Sequence, residues 1–221
     1  DSMLSACDGP CVAADEEALP FADASLYLVV SGLSLQHVND LPGVLVQVRR
    51  ALKPDGLFLA SLLGGSTLAE LGEAWLVAEE EITGGVSPRV APSIDLRDLG
   101  GLLQRAGFAL PVVDSERVRV GYASPLHLMR DIKAMGASNA LVARRRAPTR
   151  RDVLARACQV YQERHARPDG RIEATFEILT LTAWAPDPSQ QKPLKPGSAA
   201  MRLADVLGTR ELKADDEPRE K

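Results

Sequence analysis

The sequence has 221 residues, enough for one domain or slightly more at roughly 150 residues per domain. Hydrophobic residues make up 45% and charged residues 25%, which excludes a disordered or fibrous chain for most of its length. The formal net charge of -4 argues against a nucleic-acid-binding protein and favours a small or uncharged partner. The longest apolar runs, 26–35 and 56–65, are about half the roughly 20 residues that a membrane-spanning helix needs.

The cysteines and the start of the chain give information on compartment and processing. Cys7, Cys11 and Cys158 are too few for a disulfide framework, so a reducing compartment is predicted. Cys7 and Cys11 lack a second Cys/His pair at zinc-finger spacing, and no metal site is predicted. The chain begins at Asp1 with no initiator Met, signal peptide or basic presequence, so we expect the sequence to start inside a longer protein.

The first part of the chain predicts a parallel βαβ unit. An apolar run at 11–14 predicts the end of a buried strand. Leu26–Val30 is β-branched and uncharged, the pattern of a central parallel strand covered on both faces. Asn39-Asp40 offers an N-cap for a helix over 41–52, and 57–63 predicts a second buried strand. Strand, helix and strand in this order indicate the α/β class.

The later elements predict helices and an antiparallel strand pair. The pattern predicts a helix over 66–81 capped by Ser66-Thr67, a Gly/Pro loop over 84–92, and helices over 95–106, 125–135 and 149–165. The alternating segment 112–122 predicts a half-exposed strand near the sheet edge, paired antiparallel with 174–184. Composition changes after Pro186, so the predicted organisation is a domain over 1–185 and a Pro- and charge-rich tail over 186–221.

Two acidic residues follow the first predicted strand. In doubly wound α/β folds, ligands sit outside the carboxyl ends of the strands, and Asp15 and Glu16 occupy such an end. A carboxylate there can accept from an exocyclic amine while the next backbone N–H reaches a ring nitrogen, a pattern that reads an adenine edge. The alternative, in which Asp15 caps a turn, stays open.

The order of motifs resembles the later part of a class I S-adenosylmethionine-dependent methyltransferase domain. The motifs are Asp15-Glu16-Glu17-Ala18-Leu19-Pro20-Phe21, then Ser31 to Val38, then Leu52-Lys53-Pro54-Asp55-Gly56. The resemblance implies a Rossmann-like sheet of parallel strands with a C-terminal antiparallel pair, lacking its first strands here. It also implies S-adenosylmethionine as cofactor, bound by Asp15, Glu16, Ser31 and Leu35.

Further motifs are similar to the methyltransferase-like assembly factors of respiratory complex I. They lie at 38–42, 64–71, 79–88, 98–108 and 197–199, and the match covers 12–203. The resemblance implies S-adenosylmethionine-dependent modification, by hydroxylation or methylation, of an arginine in a complex I subunit. The expected partner is that subunit, with no nucleic acid and no membrane span. The expected location is the mitochondrial matrix, or the bacterial cytoplasm if the source is prokaryotic.

Departures from the family keep two other functions open. No G-x-G-x-G loop occurs in the sequence, Tyr27 stands where the family has an acid, and Gly72 replaces an arginine. The first alternative is a catalytically inactive structural or assembly subunit of complex I, and the second is a small-molecule methyltransferase. His37 is the one catalytic candidate, because an imidazole after this strand could relay a proton. Packing against the cofactor without chemistry is its alternative role.

A short basic cluster lies before the last long predicted helix. It consists of Arg144-Arg145-Arg146 and Arg150-Arg151. Because the rest of the chain is acidic, a solvated basic turn is the simplest interpretation. A patch for an acidic partner or for nucleic acid is the alternative.

Overall fold

A computed structural model describes residues 9–192, 198 and 201–209. Within them the regular elements are β1 (Leu26–Gly32), α1 (Leu41–Ala51), β2 (Leu52–Leu63), α2 (Ala69–Thr83), α3 (Leu96–Arg105), β3 (Ala109–Tyr122), α4 (Pro125–Ala134), α5 (Arg151–His165), β4 (Ile172–Trp184) and α6 (Leu203–Leu207). A single 3-10 turn, Leu35–His37, follows β1. Residues 9–187 form one compact unit, and the described residues from 188 onward form another that contains α6.

The strands of the first unit form one mixed sheet in the order β1-β2-β4-β3. β1 is parallel to β2, whereas β4 is antiparallel to both β2 and β3. The predicted βαβ unit and the predicted antiparallel pair are therefore both confirmed, and β3 lies at the sheet edge as expected. The α/β class is confirmed with them.

The βαβ unit folds as its sequence dictates. The Asp40 side chain accepts a hydrogen bond from the Gly43 backbone N–H at 2.9 Å and caps the start of α1. Val44, Leu45 and Val48 recur at helical spacing and are buried against the sheet. α1 thus provides the crossover that parallel strands need.

Two apolar cores stabilise the first unit. In the first, α1 and α3 pack on one face of β2 and β4, and the Phe58 and Phe108 rings stack with centroids 5.5 Å apart. In the second, α2, α4 and α5 pack together against one end of β4, around Trp75, Tyr161 and Ile172. The Tyr161 hydroxyl donates to the Glu173 carbonyl at 2.8 Å, which satisfies the polar end of a fully buried ring.

Several sequence expectations are wrong. Residues 11–14 do not form a buried strand: they are exposed and irregular, and the nearest bridge joins only Asp15 to Ala18. A strand needs a paired neighbour, and no described strand lies beyond β1 at that edge of the sheet. β2 begins at Leu52, five residues earlier than predicted. α2 begins at Ala69, because Ser66 and Thr67 bond elsewhere.

The remaining boundaries agree closely with expectation. α3 is capped by Asp95, which accepts from the Asp98 N–H at 2.7 Å, and the segment between α2 and α3 is irregular as predicted. The motif expected at 197–199 lies outside the described residues except for Ser198. No helix in the part of the chain that the structure describes is both long and apolar enough to cross a membrane.

Candidate functional site

The carboxyl end of β1 turns sharply into the 3-10 turn. Leu33 adopts a left-handed backbone conformation with φ +52°, and its N–H donates to the Ser61 carbonyl of β2 at 2.8 Å. The hydroxyl oxygens of Ser31 and Ser34 lie 3.0 Å apart across this turn. The half-buried Ser31 is therefore placed where parallel α/β sheets bind ligands.

Gln36 carries an unsatisfied polar atom in the same turn. Its amide nitrogen donates to the Leu33 carbonyl at 2.6 Å, whereas its buried Oε1 has no hydrogen-bond partner among the described residues. A buried acceptor without a partner typically costs about 1–3 kcal/mol. The exposed His37 lies beside it, with its Nε2 3.4 Å from the Gln36 amide nitrogen. The turn thus holds one acceptor that a donor could satisfy.

Asp15 caps a tight turn. Its Oδ1 accepts from the Glu17 N–H at 2.9 Å, and the Ala18 N–H donates to the Asp15 carbonyl at 3.0 Å. This is the turn-capping role that the sequence left open. Asp15 and Glu16 are both exposed, and Oδ2 of Asp15 bonds to no described residue. One carboxylate oxygen therefore remains available to a ligand.

Glu17 joins this turn to the start of α1, a role that sequence reasoning missed. Its carboxylate accepts from the Asn39 backbone N–H, from the Asn39 side-chain amide at 3.1 Å and from the Asp40 N–H at 3.3 Å. Gln47 adds two bonds: its amide donates to the Glu17 carbonyl at 2.7 Å and accepts from the Leu19 N–H at 3.0 Å. No local pattern marks Glu17, because its partners are more than 20 residues away.

The predicted cofactor residues lie on two described segments, 15–16 before β1 and 31–35 at its end. In the described chain, no hydrogen bond or ion pair joins Asp15 or Glu16 to Ser31 or Leu35. The Leu35 side chain is 5% exposed and packs in the first core. Its backbone is therefore the main part of Leu35 that a cofactor could reach.

The carboxyl end of β2 is anchored by Glu177, a second residue that sequence reasoning missed. Glu177 Oε2 accepts from the Ser66 N–H at 2.8 Å, and Oε1 accepts from the Ser115 hydroxyl at 2.8 Å. A Cβ on Gly64 would lie 2.9 Å from the Glu177 Cγ, so glycine is required for this close approach. Donation from Ser66 and Ser115 lowers the pKa of Glu177 against the opposing effect of burial.

Ser66 and Thr67 are consequently not helix caps. Thr67 Oγ1 donates to the Glu177 carbonyl at 3.2 Å and lies 3.1 Å from the Glu177 N–H. Leu68 then adopts a left-handed conformation with φ +56° at the start of α2. The segment 64–68 is therefore fixed to β4, which lies more than 100 residues later in the sequence.

Residues 84–95, here called the strap, lead from the end of α2 back toward the end of β2. Backbone oxygens of Ser93 and Ile94 lie 3.8 and 3.9 Å from the position of a Cβ on Gly65, and Val90 lies beside Gly72. The strap therefore borders the edge of the sheet where ligands bind in this type of fold.

A buried carboxylate holds the strap in place. Glu79 is 1% exposed and accepts from the Ser87 N–H at 2.7 Å, from the Ser87 hydroxyl and from the Arg89 guanidinium. Burial acts to raise the pKa of Glu79, but hydrogen bonds from Ser87 and Arg89 outweigh it and hold the pKa below its ordinary value. Arg89 also lies over the Trp75 ring at 4.7 Å and donates to the Thr149 hydroxyl at 2.9 Å.

Two acceptors, one on the segment before β1 and one on the segment after it, have no described partner. Asp15 offers an exposed acceptor, Gln36 offers an unsatisfied one, and both lie in segments that flank the carboxyl end of β1. Among the residues that the structure describes, no three His, Cys, Asp or Glu side chains are grouped to hold a metal ion.

Comparisons with known proteins agree with this geometry. Residues 3–60 match the family model described as a methyltransferase domain. The chain is 43% identical over 205 residues to the mitochondrial arginine-hydroxylase NDUFAF5 of Danio rerio, covering 93% of this chain and 64% of that protein. It is 42% identical to the Homo sapiens protein of the same name, covering 88% and 56%. It is also 38% identical to a malonyl-[acyl-carrier protein] O-methyltransferase of Halorhodospira halophila, covering 90% and 65%.

Solved structures show the same fold at low sequence identity. A candidate methyltransferase from Bacillus halodurans has a TM-score of 0.50 and 16% identity, covering 79% of this chain and 76% of that chain. The YcgJ protein from Bacillus subtilis has a TM-score of 0.50 and 14% identity, covering 79% and 70%. The chain spans 43% to 65% of the length of the curated relatives it matches.

Proposed function

We propose, from the premise that this chain belongs to the class I methyltransferase superfamily, that it is part of an enzyme that modifies a protein arginine with S-adenosylmethionine. The protein modified would be a subunit of respiratory complex I. The observation that carries the proposal is the 43% identity to arginine-hydroxylase NDUFAF5 over 93% of the chain. The relatives carry the label mitochondrial, which supports a mitochondrial location. The matrix is our finer proposal, with the bacterial cytoplasm its equivalent in a prokaryotic source.

The described residues would hold the adenosine end of the cofactor. The free oxygen of Asp15 would accept from the exocyclic amine, and the turn that contains Ser31 and Gln36 would form the adjoining wall. When bound, S-adenosylmethionine supplies an electrophilic methyl group at its sulfonium. Glu17 would position Asp15 by holding the 15–18 turn against the start of α1. His37 is exposed beside Gln36, where it would hold or move a proton.

The second candidate function is methylation of a small carrier-bound acyl group. The 38% identity to a malonyl-[acyl-carrier protein] O-methyltransferase over 90% of the chain favours it. In that reaction a carboxylate oxygen would receive the sulfonium methyl group and leave S-adenosylhomocysteine. A hydroxylated arginine would instead carry one more oxygen atom, which has to come from a separate oxidant such as dioxygen, because the sulfonium methyl group supplies none. The two functions therefore leave products of different composition.

Mass spectrometry of the source organism tests the proposal. The gene is deleted, and arginine-containing peptides of complex I subunits are compared with those of the parent strain. The proposal expects one arginine that carries an extra oxygen or a methyl group in the parent and is unmodified in the deletion strain. Re-expressing the full-length protein should restore the modification, and the Asp15→Asn variant should restore less of it.

Three results would contradict the proposal. A complex I arginine modification that persists in the deletion strain would assign it to another enzyme. Loss of a methyl ester on an acyl-carrier protein, with complex I peptides unchanged, would favour the second candidate. Failure of complex I to assemble in the deletion strain, with no modified arginine in the parent strain, would support the catalytically inactive subunit.

A further inference from the structure

The arginine-rich segment before α5 is not used by the proposed function. Arg144, Arg145, Arg146, Arg150 and Arg151 fall within eight residues, and all five are exposed. The whole chain has a net charge of -4, so this segment is a local basic site on an acidic protein. Such a contrast directs an acidic partner to one place on the surface.

Two of these arginines donate hydrogen bonds within or next to the segment, and the side chains of the other three have no described partner. Arg144 donates to the Leu141 carbonyl at 2.8 Å, and the Nε of Arg150 donates to Asp152 at 3.1 Å. Arg145, Arg146 and Arg151 form no hydrogen bond or ion pair with any described residue.

A cavity of about 380 Å³ is lined by one of the free arginines, Arg145. Its other lining residues are Ala143 from the same segment and Glu79, Thr83, Gly85, Val86, Ser87 and Pro88 from the end of α2 and the strap. The charge of Glu79 is offset by Arg89, so a carboxylate near Arg145 meets no unpaired buried anion. The cavity therefore combines three apolar residues, Val86, Pro88 and Ala143, with one free cation and a polar remainder.

The wall of the cavity is held in place before any partner binds. The Asn139 side-chain amide donates to the Pro88 carbonyl at 2.7 Å, and Ser87 is fixed by Glu79. A preformed wall lowers the entropic cost of binding. The cavity is therefore suited to receive a side chain rather than to form around one.

We propose that residues 142–151 and this cavity bind an acidic segment of a partner protein. One apolar side chain of that segment sits in the cavity between Val86 and Ala143. Its neighbouring carboxylates pair with Arg145, Arg146 and Arg151, whose planar guanidinium groups can bind a carboxylate through two parallel hydrogen bonds. This docking site is separate from the proposed chemistry and does not depend on it.

The observations favour a protein over a nucleic acid or a membrane. No aromatic ring lies in 142–151 or lines the cavity, so the site lacks the surfaces on which bases stack. The acidic net charge opposes a polyanion that would extend beyond the segment. Val142 is 85% exposed but is the sole large apolar residue of the segment, too little for insertion into lipid.

Fluorescence anisotropy with a labelled acidic peptide tests the proposal. The probe has the sequence Glu-Asp-Glu-Leu-Glu-Asp, and the protein is the full 221-residue chain. Arg145→Ala/Arg146→Ala/Arg151→Ala is compared with a control that removes three exposed arginines elsewhere, Arg97→Ala/Arg105→Ala/Arg130→Ala. Both triple variants change the net charge equally.

The proposal expects the first triple variant to bind the peptide roughly tenfold more weakly and the control to bind within about twofold of the parent, since each exposed pair contributes modestly. A probe with Gly in place of Leu should also bind more weakly than the original. Equal losses in both triple variants, or no binding of the probe by the parent chain, would overturn the proposal. So would tighter binding of a DNA duplex or of phosphatidylserine vesicles than of the peptide.

Discussion

The two edges of the sheet have opposite character. β3 forms one edge and carries Asp114, Glu116, Arg117 and Arg119 among its apolar residues. Charged side chains on an edge strand prevent pairing with other chains. β1 forms the other edge and has no charged residue, although Tyr27 is 74% exposed and Val30 is 66% exposed.

The charges on β3, and their absence from β1, indicate that the β3 edge is the one suited to solvent. Arg117 and Arg119 of β3 pair with Glu177 and Glu173 of β4, so even the charges of that edge are arranged by the neighbouring strand. β1 has instead the composition of a strand covered on both faces. We therefore expect a further polypeptide element to lie beside β1 in the protein that binds the cofactor.

The largest predicted effect is on the free energy of unfolding, when one leucine is truncated in a covered strand and one in an uncovered strand. Leu181 of β4 is 0% exposed, whereas Leu28 of β1 is 50% exposed. Leu181→Ala should lower the free energy of unfolding by about 2–5 kcal/mol, because it leaves a cavity in the core. Leu28→Ala should cost less than about 1 kcal/mol in the 221-residue chain. Urea denaturation measures both, and equal losses would show that β1 is as well covered as β4.

An element of this fold can be predicted from the sequence when residues close to it in the sequence determine it, and not when a distant segment does. The helix over 41–51 and the pairing of β3 with β4 follow from local caps and alternation, and both were predictable. The strand expected at 11–14 was not, because burial of a strand depends on a neighbour that no local pattern reveals. The apolar run 26–30 predicted its own strand correctly but not its place at an open edge.

The site was predicted less completely than the fold. Asp15 was identified with two alternative roles, and the structure shows one of them, the turn cap; the adenine contact stays a prediction. Glu79 opens a run of three glutamates at the end of the predicted helix, and no local pattern marks its burial with Ser87 and Arg89. Glu177 bonds to Ser66, which is 111 residues away. Such partners come together only through tertiary packing.

A smaller effect is expected from the carboxylate that fixes the β3 side of the sheet. Glu177→Gln should lower the free energy of unfolding at neutral pH by about 1–3 kcal/mol, because it leaves the Ser66 and Ser115 donors poorly matched. The exposed side chain of Glu116 forms no hydrogen bond or ion pair with described residues, so Glu116→Gln on β3 serves as the control and should change little.

The stability difference between the parent chain and Glu177→Gln should depend on pH, because the pKa of the Glu177 carboxyl is lowered in the folded chain. Folding favours the ionised form, so its stabilising contribution is complete above the ordinary value of 4.5 and is lost as the pH falls through the folded-state pKa. The difference in stability between the parent chain and Glu177→Gln should therefore shrink below pH 4.5. A difference that grows on acidification would contradict this account.

The smallest predicted effect on stability concerns the open edge itself. Val30→Lys places a charge on β1 and should change the free energy of unfolding by no more than about 0.5 kcal/mol, while reducing self-association of the 221-residue chain. Val112→Lys on β3, where charges already lie along the strand, is the matched control and should alter association less. Sedimentation velocity measures association, and equal effects at the two edges would remove the distinction between them.

Calorimetry of the full-length protein with S-adenosylmethionine, for the parent and for Asp15→Asn, tests whether Asp15 binds the cofactor. The substitution retains an oxygen that can accept from the Glu17 N–H, but it can place a donor where an acceptor should meet the exocyclic amine. We predict a loss of affinity of about 5- to 150-fold, corresponding to about 1–3 kcal/mol, with little change in the melting temperature without cofactor. Unchanged, tight binding by Asp15→Asn would remove Asp15 from the cofactor site. A large fall in melting temperature without cofactor would instead give it a structural role only.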